Sequence, residues 1–222
     1  MRQVGLITIG QSPREDIIAS MFSRSSSLDL IERGALDDLS LDEIQALRPE
    51  PGELPLVSRL RDGTEVVIAE ERLIPHLQRA LERATADGAS LAVILCTGEF
   101  NQLRPSIPVI YPDRVVAHVV EAILPVGVLG VMLPHEGQMT MMYEKWSSPT
   151  RRFVGTAISP YTERSELAEQ ARQLRDQQAT LIVMDCMGFD TEMKRTVAAE
   201  SGVPTILANR LVGRVVEELT SI

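Results

Sequence analysis

The sequence predicts an α/β protein made of two similar halves, and three observations carry that reading. Leu91-Ala92-Val93-Ile94-Leu95-Cys96-Thr97-Gly98 is echoed by Leu181-Ile182-Val183-Met184-Asp185-Cys186-Met187-Gly188, and these runs hold the only two cysteines of the 222 residues. Segments with helical spacing precede both, Leu77 and Leu167 each standing 19 residues before their cysteine. Residues 108–121 then match 204–217 at an offset of 96 rather than 90, so the second copy carries six extra residues after its cysteine. An apolar run ending in a polar residue and a glycine reads as a strand buried on both faces of a parallel sheet. Its last residue lies at the carboxyl edge of that sheet, where open α/β folds place ligands.

The elements follow in order. Val4 to Ile9 is a short buried strand leading through Gly10-Gln11-Ser12-Pro13-Arg14 into a helix. Ser12 is expected as its N-cap, with Pro13 at the first helical position and Glu15 closing a capping box. The free amides of such a helix start suit an anion, and Gln11, Ser12 and Arg14 would share the sheet edge with Cys96. Residues 28–70 have no counterpart in the second half. They comprise a strand at 28–34, a short helix capped by Ser40, a proline-rich loop and a β-hairpin turning at Asp62-Gly63. That insertion is expected to decorate a sheet edge, or else to cover the cleft or a dimer surface. A helix from Glu70 to Ala86 enters the first cysteine strand; a strand at 109–111 and a helix from Arg114 to Leu124 follow, with Asp113 as cap and Asn209 as its equivalent before Arg210. Residues 125–134 open the second half, and Val4–Ile7 can be laid on Leu129–Met132. His135-Glu136-Gly137-Gln138 stands where the first half has its Gly-Gln-Ser-Pro loop. A helix at 139–146, a strand at 153–158 and a helix starting from Ser159 complete the pattern. Residues 1–124 are thus expected to form the first lobe and 125–208 the second, with the helix at 209–222 packing back on the first.

Composition narrows the function. Hydrophobic residues make up 44% of the chain, enough for a full core, and 22 basic against 31 acidic residues leave a net charge of −9. A nucleic-acid partner would require a basic face, so none is expected. No apolar run approaches the roughly 20 residues of a membrane helix. Two cysteines without a disulfide framework fit a reducing cytoplasm. The histidines His76, His118 and His135 have no metal-ligand spacing and no CxxC pair is present, so no metal is expected. The methionines read as core filler.

Isolated cysteines are ordinarily small buried hydrophobes. Here each ends the matching strand of a repeated half. If the halves face one another about a pseudo-twofold axis, both thiols approach one bound molecule from opposite sides. One thiolate would then remove a proton from carbon while the opposed thiol returns one to the other face, which requires a lowered pKa supplied by helix-start amides or cations. Thr97 can hydrogen-bond a carboxylate. Met187 takes its place in the second half, and Asp185 stands beside the second thiol, either steering a proton or facing solvent. His135 is a minor candidate.

The Thr8-Ile9-Gly10-Gln11-Ser12-Pro13-Arg14 opening, with Cys96-Thr97-Gly98 and Asp185-Cys186-Met187-Gly188, resembles the AroM protein family along essentially the whole chain. The duplicated halves are similar to the wider aspartate/glutamate racemase superfamily, which includes hydantoin racemases, maleate isomerases and arylmalonate decarboxylases. That resemblance implies two α/β/α lobes with four-stranded parallel sheets and an active site between them. It also implies cofactor-independent chemistry by one or two cysteines on a small carboxylate. The chain departs from the racemase pattern at Thr97-Gly98, where Asn-Thr is usual, and at Met187, where threonine often stands. The expectation is therefore an isomerase, racemase or lyase with Cys96 and Cys186 as opposed acid/base residues. Ser12, Arg14 and Thr97 would fix a carboxylate ligand, without metal or organic cofactor. A second reading is a small-anion binding or redox-sensing module with structural cysteines. A third is a hydrolase pairing Cys96 with His135. A homodimer is compatible with either half of the argument.

Overall fold

Alternating strands and helices run the length of the chain, and the computed structural model describes residues 3–22, 28–161 and 164–221. The first half contains β1 (Gln3–Thr8), α1 (Glu15–Met21), β2 (Asp29–Gly34), α2 (Leu41–Ala46), β3 (Pro55–Arg59), β4 (Glu65–Ala69), α3 (Glu70–Ala86), β5 (Leu91–Ile94), β6 (Val109–Ile110) and α4 (Pro112–Ile123). The second contains β7 (Gly127–Leu133), a 3-10 turn (Glu136–Gln138), α5 (Met139–Trp146), β8 (Arg151–Ala157), α6 (Leu167–Asp176), β9 (Leu181–Met184), α7 (Thr191–Ser201), β10 (Thr205–Leu207) and α8 (Ala208–Thr220). Among the described residues no helix is long and apolar enough to cross a membrane.

Two parallel four-stranded sheets result, ordered β2-β1-β5-β6 and β8-β7-β9-β10, which is one topology used twice. The register confirms the repeat residue by residue. Val4 pairs with Leu91 in the first sheet, and Leu129 pairs with Leu181 in the second. The match of 4–7 to 129–132, weak by sequence, is therefore structural. Ala92 pairs with Val109 and Ile182 with Thr205, so the offset grows from 90 to 96 between one strand and its neighbour. The six extra residues lie in the segment that forms α7, a helix the first half lacks at this place. Asp190 caps it, its side chain accepting a 2.8 Å bond from the Met193 amide.

The core explains the arrangement. One apolar cluster draws on both halves at once, with Leu6 and Val93 from the first sheet, Val131 and Val183 from the second, and Val212 and Val216 from α8. The outer faces have separate clusters, under α3 in the first half and under α6 and α7 in the second. Helix α8 lies against α1 so closely that a Cβ on Gly213 would collide with the Met21 carbonyl.

The 28–70 segment forms β2, α2 and the antiparallel hairpin β3–β4, with Gly63 at a φ of +94° in the turn. Ser40 caps α2 through a complete capping box, as the sequence predicts. The hairpin does more than decorate an edge, since the Gln138 side chain donates a 2.8 Å bond to the Pro55 carbonyl and Ser159 bonds Glu65. It spans from one half to the other.

Four expected helix starts differ. Helix α1 begins at Glu15, with Arg14 in the N-cap position, because Ser12 is taken up by a tertiary partner. Helices α4 and α8 each begin two residues earlier than expected, at Pro112 and Ala208. Asp113 and Asn209 therefore sit inside the first turn, and Asn209 donates to the Met187 and Phe189 carbonyls instead of capping. Helix α6 begins at Leu167, well past Ser159; the intervening Thr162 and Glu163 lie outside the described residues.

Candidate active site

Both cysteines stand just beyond the carboxyl ends of the central strands β5 and β9. Each thiol is met by the amide two residues on: Gly98 N–H and Gly188 N–H each lie 3.4 Å from the sulfur of Cys96 and Cys186. The two Cys-x-Gly loops thus share one geometry, and they touch. The Thr97 hydroxyl donates a 3.1 Å bond to the Asp185 carbonyl, joining the residue after one cysteine to the residue before the other. Cys186 bears electrostatically on the Cys96 thiol across this junction. Cys186 is 8% exposed and Cys96 is half-buried.

A group capable of carrying a proton lies over each loop. A Cβ on Gly188 would strike the Tyr161 hydroxyl, and one on Gly98 would stand 3.3 Å from Glu70 Oε2. Tyr161 precedes α6 and Glu70 opens α3, the helices that lead into the two cysteine strands. The Tyr161 hydroxyl accepts a 2.9 Å bond from Arg14 Nη2, and the guanidinium also stacks over its ring. Arg14 is 3% exposed and forks onto Asp16 through Nε and Nη2 at 2.9 and 2.8 Å. Burial works against its charge, but Asp16 and Tyr161 outweigh that and hold it firmly protonated. Among the described residues Nη1 makes only a long contact to Thr8, which leaves its second hydrogen unbonded there. A cavity of about 370 Å³, with Arg14, Asp16, Arg59 and Asp62 among its walls, opens beside it.

On the Cys96 side the polar groups are under-satisfied. Glu70 Oε2, Asp113 Oδ1 and Asp185 Oδ1 are buried without a hydrogen-bond partner among the described residues, and Lys145 Nζ, likewise without a hydrogen bond there, pairs with Glu99 at 3.7 Å and lies over the Trp146 ring. Lys145 bears electrostatically on all three carboxyls. Buried polar groups are ordinarily bonded, so a cluster of orphans marks a place shaped for something polar. Burial, reinforced by Glu99 and Glu71, raises Glu70 to about 7. Burial likewise raises Asp113 and Asp185. Asp185 does not face solvent: it is 1% exposed, and its Oδ2 accepts from Trp146 Nε1 at 3.3 Å.

The thiols differ from expectation. Burial pushes Cys186 up to about 12 and raises Cys96 as well, outweighing the glycine amides and, at Cys186, the attraction of Arg14. Both rest as protonated thiols rather than ready thiolates.

The sequence matches the AroM protein model over residues 4–220. The chain belongs to the AroM family. No curated protein matches it. Among solved structures this AroM protein is similar to maleate isomerase from Pseudomonas putida, at 12% identity and a TM-score of 0.64, covering all of this chain and 93% of that one. It is also similar to an aspartate racemase homologue from Pyrococcus horikoshii, at 13% identity and a TM-score of 0.62, both chains being covered in full. A liganded mutant of arylmalonate decarboxylase matches at 12% identity and a TM-score of 0.64, covering 99% of this chain and 92% of that one. Likeness at this level establishes the shared α/β fold.

Not every candidate converges in this AroM protein. Ser12 turns to Asp37, donating from its amide and its hydroxyl at 2.7 Å each. Gln11 spans Leu36 and the hairpin residue Arg61, so both ends of its amide are engaged within the first half. Met187 is 1% exposed in the shared core. His135 bonds its own turn at Gly137 and lines a separate cavity with residues 49–55; no hydrogen bond joins it to either cysteine among the described residues. Glu70, Tyr161 and Lys145 carried no functional signal of their own in the sequence, and Asp113 stood out only as a helix cap. The repeat could have revealed the first two, since each stands just before or at the start of the helix that leads to its cysteine.

Proposed function

We propose that this AroM protein is a cofactor-independent isomerase, racemase or lyase acting on a small carboxylate, with Cys96 and Cys186 as opposed acid/base residues. The observation that supports this best is the pair of identical Cys-x-Gly loops meeting through the Thr97–Asp185 bond. A thiol on either side of one carbon can break a C–H bond on one face and form it on the other. Arg14, beside Cys186, and the Lys145 ammonium, among the carboxyls beside Cys96, are the cations available to hold a substrate carboxylate. The solved relatives, named as a racemase homologue, an isomerase and a decarboxylase, favour the same class of chemistry.

The test is hydrogen exchange in D2O with a panel of small carboxylic acids. Substrate-dependent deuterium incorporation should fall at least 100-fold in Cys96→Ser and in Cys186→Ser, as expected for loss of an acid/base group. Undiminished exchange in both variants overturns the assignment. The alternative, a binding or sensing module, draws support from the raised thiols. It predicts slow alkylation of both cysteines at neutral pH, unprotected by any of the acids that the first reading requires to exchange.

A further inference from the structure

Three buried carboxyl oxygens, of Glu70, Asp113 and Asp185, have no hydrogen-bond partner among the described residues, and Glu70 is the one that closes on the Cβ position of Gly98, whose amide meets the Cys96 sulfur. Its Oε2 would be 3.3 Å from a Cβ at Gly98, and its charge bears directly on the Cys96 thiol. The corresponding place over Gly188 is held by Tyr161, fixed by Arg14. The two half-sites therefore match in shape and differ in kind. A carboxyl can exchange protons with a thiol near neutrality; a buried phenol bonded to a guanidinium cannot.

From this difference we infer that Glu70 and Cys96 share one proton, Glu70 serving as the relay that makes Cys96 the base, while Cys186 under Tyr161 remains the proton donor. The inference rests on the proposed acid/base role of the cysteines and adds a direction to it. Glu70 accepts the proton of the Cys96 S–H bond and leaves a thiolate. The thiolate takes the substrate proton, whose C–H electron pair passes into the adjoining carboxylate or carbonyl. The Cys186 S–H bond breaks to protonate the opposite face. Cys186 then regains a proton from solvent and Glu70 gives one up, so the count closes without any added oxidant or reductant.

The groups facing Glu70 set when this occurs. Glu71 on its own helix and Glu99 and Asp113 from the loop after β5 and from α4 oppose its charge, and Lys145 on α5 favours it. Glu70 titrates at about 7 in this setting. Once ionised, it opposes a second negative charge on Cys96, so thiolate formation becomes harder above that pH.

Peptide-resolved mass spectrometry of iodoacetamide labelling from pH 5.5 to 9.5 tests this on the whole protein. The logarithm of the Cys96 rate in the wild type should rise with pH, bend to a shallower slope near neutrality, and rise again. Glu70→Gln should remove the bend and label Cys96 roughly tenfold faster above it, the equivalent of one pK unit. Glu70→Asp should retain the bend, and Cys186 labelling should be the same in all three. In the D2O assay Glu70→Gln should exchange more slowly although its thiol is more reactive, an opposition that a merely structural role does not produce. A wild-type profile without a bend, or a Glu70→Gln profile that overlays it, overturns the inference. A bend that persists while no acid exchanges leaves the Glu70–Cys96 pair standing and removes the isomerase reading instead.

Discussion

Ser12 gives both amide and hydroxyl to Asp37, so the anion seat ahead of α1 is already occupied by a carboxylate of the protein itself. Asp37 also accepts from the Gly34 amide and pairs with Arg61 at 3.3 Å. Asp37→Asn removes the charge from several of these bonds at once and should lower stability by about 1–3 kcal/mol, read as a shift of the urea midpoint at constant slope. An unmoved midpoint would mean the loop is held by Gln11 and the hairpin alone. The contrast marks the limit of what single residues disclose. The two cysteines were legible because a repeat singled them out. Ser12 was misread because the partner that decides its role lies 25 residues away and no local spacing betrays it. Glu70 looked like any acidic residue opening a helix, and only burial beside Cys96 gives it another character.

The hairpin β3–β4 was legible in outline, because Asp-Gly between two apolar runs is a local signal, yet its bridge to Gln138 and Ser159 was not. Its turn depends on Gly63 at positive φ, where Gly63→Ala should cost about 1 kcal/mol. Because Arg61 in that turn donates to both the Gln11 side chain and the Ser12 carbonyl, the same substitution should loosen the loop before Arg14. Faster amide exchange at residues 10–14 would register it, and unchanged protection there would confine the effect to the turn. Helix α7 shows the reverse case. Asp190 three residues before Met193 is a fair cap, but its segment has no counterpart in the first half, so the repeat offered no template for it. At the α8–α1 contact, Gly213→Ala places a methyl against the Met21 carbonyl and should destabilise by about 1–3 kcal/mol through displacement of the helices.

For the molecule as a whole the buried carboxyls set a pH dependence. Glu70 has an ordinary value of 4.5 and is raised by burial to about 7, so the folded protein holds a proton that the unfolded chain has released. Stability from this source is lost as pH rises from about 4.5 to about 7 and is not recovered above that. Glu70→Gln should therefore match the wild type near pH 4 and exceed it near pH 8, by on the order of 1–3 kcal/mol. Thermal melts across that range check it, and equal differences at both ends would show that the carboxyl is not strained by its surroundings. The global architecture was the most legible feature, since a duplicated apolar pattern constrains two sheets together, and the pairing registers reproduce its 90- and 96-residue offsets. The inter-half packing was not, because it depends on which faces meet. In that packing α8, the last described helix, covers α1 and supplies Val212 and Val216 to a core begun by Val4 and Leu6. Helix α8 therefore leaves the ribosome long after β1, and until it emerges the nascent chain carries the apolar surface that its valines help to close.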